Sequence, residues 1–84
     1  MKMSDDDSYK PISCALYDNY EIAIMHGEQL QLVWIDDARR HNISVVKPID
    51  LKTRQGAEFL IATTDNGKTL QLRLDHIQSC RSVE

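Results

Sequence analysis

Eighty-four residues, 42% of them hydrophobic and with one Trp, one Phe and three Tyr, fit one domain with a thin core, near the lower size limit for folding unaided. No apolar run approaches the ~20 residues of a membrane helix. The acidic start, MKMSDDDS, lacks the apolar stretch of a secretory signal, so a cytoplasmic protein with no membrane association is expected. The net charge of −3 is unevenly divided: residues 1–37 carry eight acids against Lys2 and Lys10, a net −6, and residues 38–84 carry eight bases against five acids, a net +3. Such a split speaks of a basic partner for the first half and leaves weak nucleic-acid contact open for the second.

Met1–Ser8 has no apolar periodicity and is expected to be a disordered acidic tail. Tyr9–Ser13 follows, with Pro11 holding Lys10 extended. A helix comes next, for which Ser13 and Asp18 are alternative caps, Asp18 and Glu21 standing in D-x-x-E order. Gly27 occupies the place of a C-terminal glycine, where positive φ is needed. At 100° per residue, Leu16, Tyr17, Tyr20, Ala23 and Ile24 fall on one side, which should face the core. Asp18, Glu21, Ile22 and Met25 fall on the other, with Asn19 at the margin. That outer face reads either as ordinary solvated surface or as a docking face with carboxylates for basic groups and an apolar rim. Alternation of Ile22 and Ile24 also permits a strand over Tyr20–Met25.

Gln29–Ile35 is the strongest strand signal, with Leu30, Leu32 and Trp34 on one face. Asp36–Asn42 reads as a turn and Ile43–Lys47 as a second strand that Pro48 ends or places at an edge. Leu51 returns to the core, and Lys52–Gly56 is expected as a polar, basic loop. Glu58–Thr64 is a third strand, joined through Asp65-Asn66-Gly67-Lys68, in which Asn-Gly predicts a type I′ turn. Thr69–Leu74 is the fourth strand, Asp75-His76 a corner, Ile77–Cys80 a short fifth strand and Arg81–Glu84 a frayed end. The fold class is therefore mainly β with one N-terminal helix. Five short strands protect their edges best by curling into a partly closed barrel, similar to the Sm-like barrel.

Catalytic chemistry finds little footing. His26, His41, His76, Cys14 and Cys80 show no metal-ligand spacing, the three glycines are scattered, and no nucleophile stands with Asp75-His76. The expectation is a protein that is not an enzyme and has no cofactor and no metal. Cys14 and Cys80 read as small buried hydrophobes rather than a disulfide. Lys52, Arg54, Lys68 and Arg73 could form a basic strip for RNA, although no aromatics alternate beside them as a stacking platform.

Tyr9, Pro11, Ile12 and Cys14, then Tyr17, Asp18, Asn19 and Glu21, and finally Leu72-Arg73-Leu74-Asp75 with Ile77 form a pattern that resembles the Rof (YaeO) family of small bacterial proteins that bind the termination factor Rho. The resemblance spans Tyr9–Cys80, with Ala15 and Leu16 standing where family members can carry acids, and Asp36–Leu51 matching poorly. It implies an Sm-like barrel with an N-terminal helix, and a role as an antiterminator. It implies that the protein occupies the primary RNA-binding region in the N-terminal domain of Rho, competing with RNA rather than binding it strongly. Matching positions put the contact on Tyr17, Asp18, Asn19 and Glu21, to which the helix projection adds Ile22 and Met25, with Lys52 and Arg54 as a secondary basic contact. An Sm-like RNA-binding protein using the basic strand and loop surface is the alternative. A monomer is expected, since Pro48 and charged turns blunt the sheet edges.

Overall fold

The computed structural model describes residues 9–83; the expected tail at Met1–Ser8 and the last residue, Glu84, lie outside them. Helix α1 spans Cys14–His26, and of the two candidate caps it is Ser13 that starts it. The Ser13 Oγ accepts from the Leu16 N–H at 3.2 Å, and its carbonyl takes the first intrahelical bond, from the Tyr17 N–H at 3.1 Å. Asp18 and Glu21 are left inside the helix with their carboxylates outward. Gly27 takes φ 65°, which lets its own N–H reach the Ile24 carbonyl and the Glu28 N–H reach the Ala23 carbonyl, a Schellman closure. Ser13→Ala removes the only side-chain acceptor at the N-terminus among the described residues, and is expected to cost about 1 kcal/mol in denaturant unfolding.

Five strands follow: β1 Gln29–Ile35, β2 His41–Arg54, β3 Ala57–Thr64, β4 Thr69–Arg73 and β5 Ile77–Val83, with a 3-10 turn at Leu74–His76 between the last two. They form one antiparallel sheet in the order β4-β3-β2-β1-β5. The terminal strands β4 and β5 are not paired with each other, so the barrel is partly closed. Leu30 and Leu32 of β1, Val46 of β2, Leu60 and Ala62 of β3, Leu72 of β4 and Leu74 make its core, and Tyr20 and Ala23 of α1 complete it.

Pro48 does not end the second strand. It is buried and paired with Ala62, in the middle of a 14-residue β2. β2 pairs with β1 only through His41–Val46, so at Pro48 that side of the strand has no ladder for a missing N–H to break. The register to β3 then skips Ile49, a bulge that bends β2 and lets its second half, through Lys52 and Arg54, run as a strand where a loop was expected. The turn falls at Gln55-Gly56, both at positive φ (52° and 80°), as a type I′ turn requires.

At Asp65–Lys68 only Gly67 has positive φ, 83°. Pairing Thr63 with Thr69 leaves an odd number of residues in the loop, and a two-residue turn needs an even number. The chain therefore makes a type I turn closed by a left-handed glycine, with the Gly67 N–H on the Thr64 carbonyl at 3.0 Å, rather than the expected I′ turn. β5 also exceeds its expected end at Cys80. Arg81 pairs with Gln31 and Val83 with Gln29, so residues 81–83 belong to the ladder instead of fraying. Both cysteines are free thiols; Cys80 packs against the core, but Cys14, read as buried, is exposed in the first turn of α1.

Candidate functional site

The inner stripe of α1 sets what its outer stripe can present. Tyr20 and Ala23 are buried, and Leu16, Tyr17 and Ile24 pack half-buried at the margin of the core. This fixes the rotation of the helix and turns Asp18, Glu21, Ile22 and Met25 to solvent, with Ile22 44% and Met25 74% exposed. Two exposed apolar side chains thus stand on the same face of α1 as two carboxylates. The helix packs chiefly on β2, and between them runs an open groove of about 550 Å³. Tyr17, Asp18, Glu21, Ile22, Ile24 and Met25 form its helical wall; Asp50 and Leu51 form the other. Three carboxylates and no cation line it.

A short strap holds the start of α1 against the barrel. The Tyr9 hydroxyl donates to Glu58 Oε1 at 3.0 Å, the Lys10 N–H donates to Asp75 Oδ2 at 3.0 Å, and Ile12 packs on the core. Arg73 grips Asp75 through two hydrogen bonds of 2.7 and 2.8 Å and lies 5.8 Å from the Tyr9 ring centroid. Burial, then the bond to Glu58 and its charge, push the Tyr9 phenol up to about 12. Tyr17 is raised by burial first, then by the charges of Glu58, Glu21 and Asp50, so carboxylates from β3, α1 and β2 all bear on one ring.

Asp75 is pushed up by burial, but its bonds from Arg73 and the Lys10 N–H outweigh that and hold it below the usual carboxylate range. A carboxyl whose folded pKa is depressed adds stability above its unfolded pKa, near 4, and loses it as pH falls through the folded value. Acid melts of the wild type should therefore show a loss below about pH 4 that Asp75→Asn lacks, because the variant has already lost that contribution at neutral pH.

The structure brings five of the six helix residues singled out in the sequence, Tyr17, Asp18, Glu21, Ile22 and Met25, into the groove. Asn19 sits on the opposite flank of α1, in a crevice with Cys80, Arg81 and Ser82 that Ile22 also borders. Lys52 and Arg54 are exposed on the second half of β2, where the Arg54 guanidinium donates to Gln71 Oε1 at 3.3 Å. They do not line the groove. Arg73, counted in the basic strip, is half-buried and committed to Asp75 and Tyr9. Asp50 and Leu51 were missed by sequence reasoning. The signal that could have found them is Pro48-Ile49-Asp50, a proline inside a strand-like run followed by a break in alternation, which marks a bulge.

The fold is a partly closed five-stranded barrel of the Sm-like class with one N-terminal helix packed chiefly on β2. Residues 11–84 match the family model described as modulator of Rho-dependent transcription termination (ROF). Protein rof of Escherichia coli (strain K12) and protein rof of Shigella flexneri are each 38% identical over 74 residues, covering 88% of this chain and 82% of the relative. Among solved structures, proteasome accessory factor B/C (PafBC) of Arthrobacter aurescens superimposes with a TM-score of 0.75 at 21% identity, over 93% of this chain but 12% of that one, a likeness of fold alone. The chain belongs to the ROF family of modulators of Rho-dependent transcription termination, which makes Rho its implied partner. The family is one of transcription regulators, not a known class of enzyme. No helix among the described residues is long and apolar enough to cross a membrane.

Proposed function

We propose that this protein inhibits Rho-dependent termination by docking the acidic face of α1 on the N-terminal domain of Rho, where it covers the primary RNA-binding site. The observation that carries this reading is the groove beside α1, in which Asp18, Glu21 and Asp50 stand with the exposed Ile22 and Met25. A site that binds RNA holds its phosphates with Arg and Lys side chains. Carboxylates compete for the same cations. One exposed ion pair contributes only about 0.2–1 kcal/mol, so several must act together with apolar contacts from Ile22 and Met25. The protein acts as a monomer in this reading and does not need to bind RNA itself.

The test is a competition titration. Purified Rho holding a fluorescent oligonucleotide at its primary site is titrated with the protein, and the oligonucleotide is expected to be released in proportion to the complex formed. Retention of the oligonucleotide in a ternary complex would overturn the competition. Direct binding of the oligonucleotide by the protein alone at low salt would favour an RNA-binding surface on Lys52 and Arg54 instead.

A further inference from the structure

The second wall of the groove is the product of an irregularity in β2. Pro48 pairs with Ala62 and Asp50 with Ile61, so Ile49 is an extra residue in the ladder. A bulge bends its strand and re-aims neighbouring side chains. Here it puts Asp50 and Leu51 across the groove from the helical carboxylates and leaves Ile49 47% exposed beside them. The Leu51 N–H donates to Asp50 Oδ1 at 2.8 Å, which orients the carboxylate; its second oxygen has no hydrogen-bond partner among the described residues. The groove thus combines fixed negative charge with an apolar bed of Ile22, Met25 and Leu51. Such a lining suits one kind of occupant, a long basic side chain, whose methylene stem covers apolar surface while its head stays with polar partners.

We infer that Asp50 is the second jaw of the docking face: one arginine or lysine side chain of Rho lies in the groove, its stem on Met25 and Leu51 and its cationic head between Asp50 and Glu21. This rests on the Rho-docking reading above and adds to it a contact from the barrel, which makes the interface span two elements. It also assigns the bulge a purpose that packing alone does not give it.

Calorimetric titration of full-length Rho with the intact protein and its variants tests this. Asp50→Asn keeps the side-chain volume and an acceptor for the Leu51 N–H, so its melting temperature should match the wild type. Its affinity for Rho should fall about tenfold, as expected for the loss of a hydrogen bond between charged groups. Glu21→Gln should lose a similar factor, and the double variant less than the product of the two, because both carboxylates hold the same cation. Wild-type affinity in Asp50→Asn, or strictly multiplicative losses in the double variant, would overturn the shared cation. If Asp18→Arg with Glu21→Lys still abolishes binding in that case, the helix reading stands and only the role of Asp50 falls. If neither the helical pair nor Asp50 affects the affinity, both fall together.

Discussion

Reversing both helical carboxylates, Asp18→Arg with Glu21→Lys, should weaken capture of Rho by at least about 100-fold, since like charges brought together at an interface cost several kcal/mol. The melting temperature should move by no more than about 4 °C, the equivalent of ~0.5 kcal/mol in a domain of this size. The separation of the two effects follows from the fold. Both side chains are exposed on the outer stripe of α1, and neither has an ion-pair or hydrogen-bond partner among the described residues, so the barrel loses nothing when they change. Arg and Lys are also at least as compatible with a helix interior as Asp and Glu. Immobilised Rho with a stepwise salt series gives the measurement: wild-type binding should weaken with salt, as contacts between exposed charges do. A reversed variant that still displaces RNA would place the docking surface elsewhere, the Asn19 flank of α1 being the next candidate.

The helical half of this site could be read from the sequence because a helix obeys a single period. Once Tyr20 and Ala23 are assigned inward, the outward direction of Asp18, Glu21, Ile22 and Met25 is determined within one turn, and the structure places them so. The strand half could not be read in the same way. Asp50 reaches the groove only because β2 continues past Pro48, and Pro48 is tolerated only because β1 has already left that side of the strand. Both facts are properties of pairing between segments far apart in the chain. Local reading leaves two outcomes for Pro48, an end to the strand or an unpaired edge, and only the pairing with β1 and β3 selects the second. The strap is similar. Tyr9 and Pro11 could be singled out as a motif, but the partners Glu58 and Asp75 lie 49 and 65 residues from the groups they bind. The hairpin at Asp65–Lys68 failed on register: Asn-Gly signals a turn, yet its type depends on how many residues the ladder leaves unpaired.

The second large effect concerns the residue that joins helix to barrel. Tyr20 is fully buried at the centre of the inner stripe, packed with β-strand residues of the core. Tyr20→Ala should cost about 3–5 kcal/mol, the range for removing a large buried aromatic. A domain of this length has a total stability of only about 4–13 kcal/mol, so the variant approaches global unfolding at 37 °C, and Rho binding is lost with the fold. Tyr20→Phe should do the opposite. The Tyr20 hydroxyl is buried with no hydrogen-bond partner among the described residues, and burial raises its pKa by penalising the phenolate. An unpaired buried hydroxyl costs about 1–3 kcal/mol of desolvation, and phenylalanine removes that cost while filling the same space. The expected gain is about 1 kcal/mol, or a rise of ~4–8 °C in melting temperature, with Rho affinity unchanged. Thermal melts followed by far-ultraviolet circular dichroism distinguish the pair. A stable Tyr20→Ala protein would mean that the strap at Tyr9–Ile12, rather than the inner stripe, holds the helix on the barrel. A destabilised Tyr20→Phe protein would mean that the hydroxyl is hydrogen-bonded in solution, and that the rotation of α1, and with it the aim of Asp18 and Glu21, is fixed by a polar contact as well as by packing.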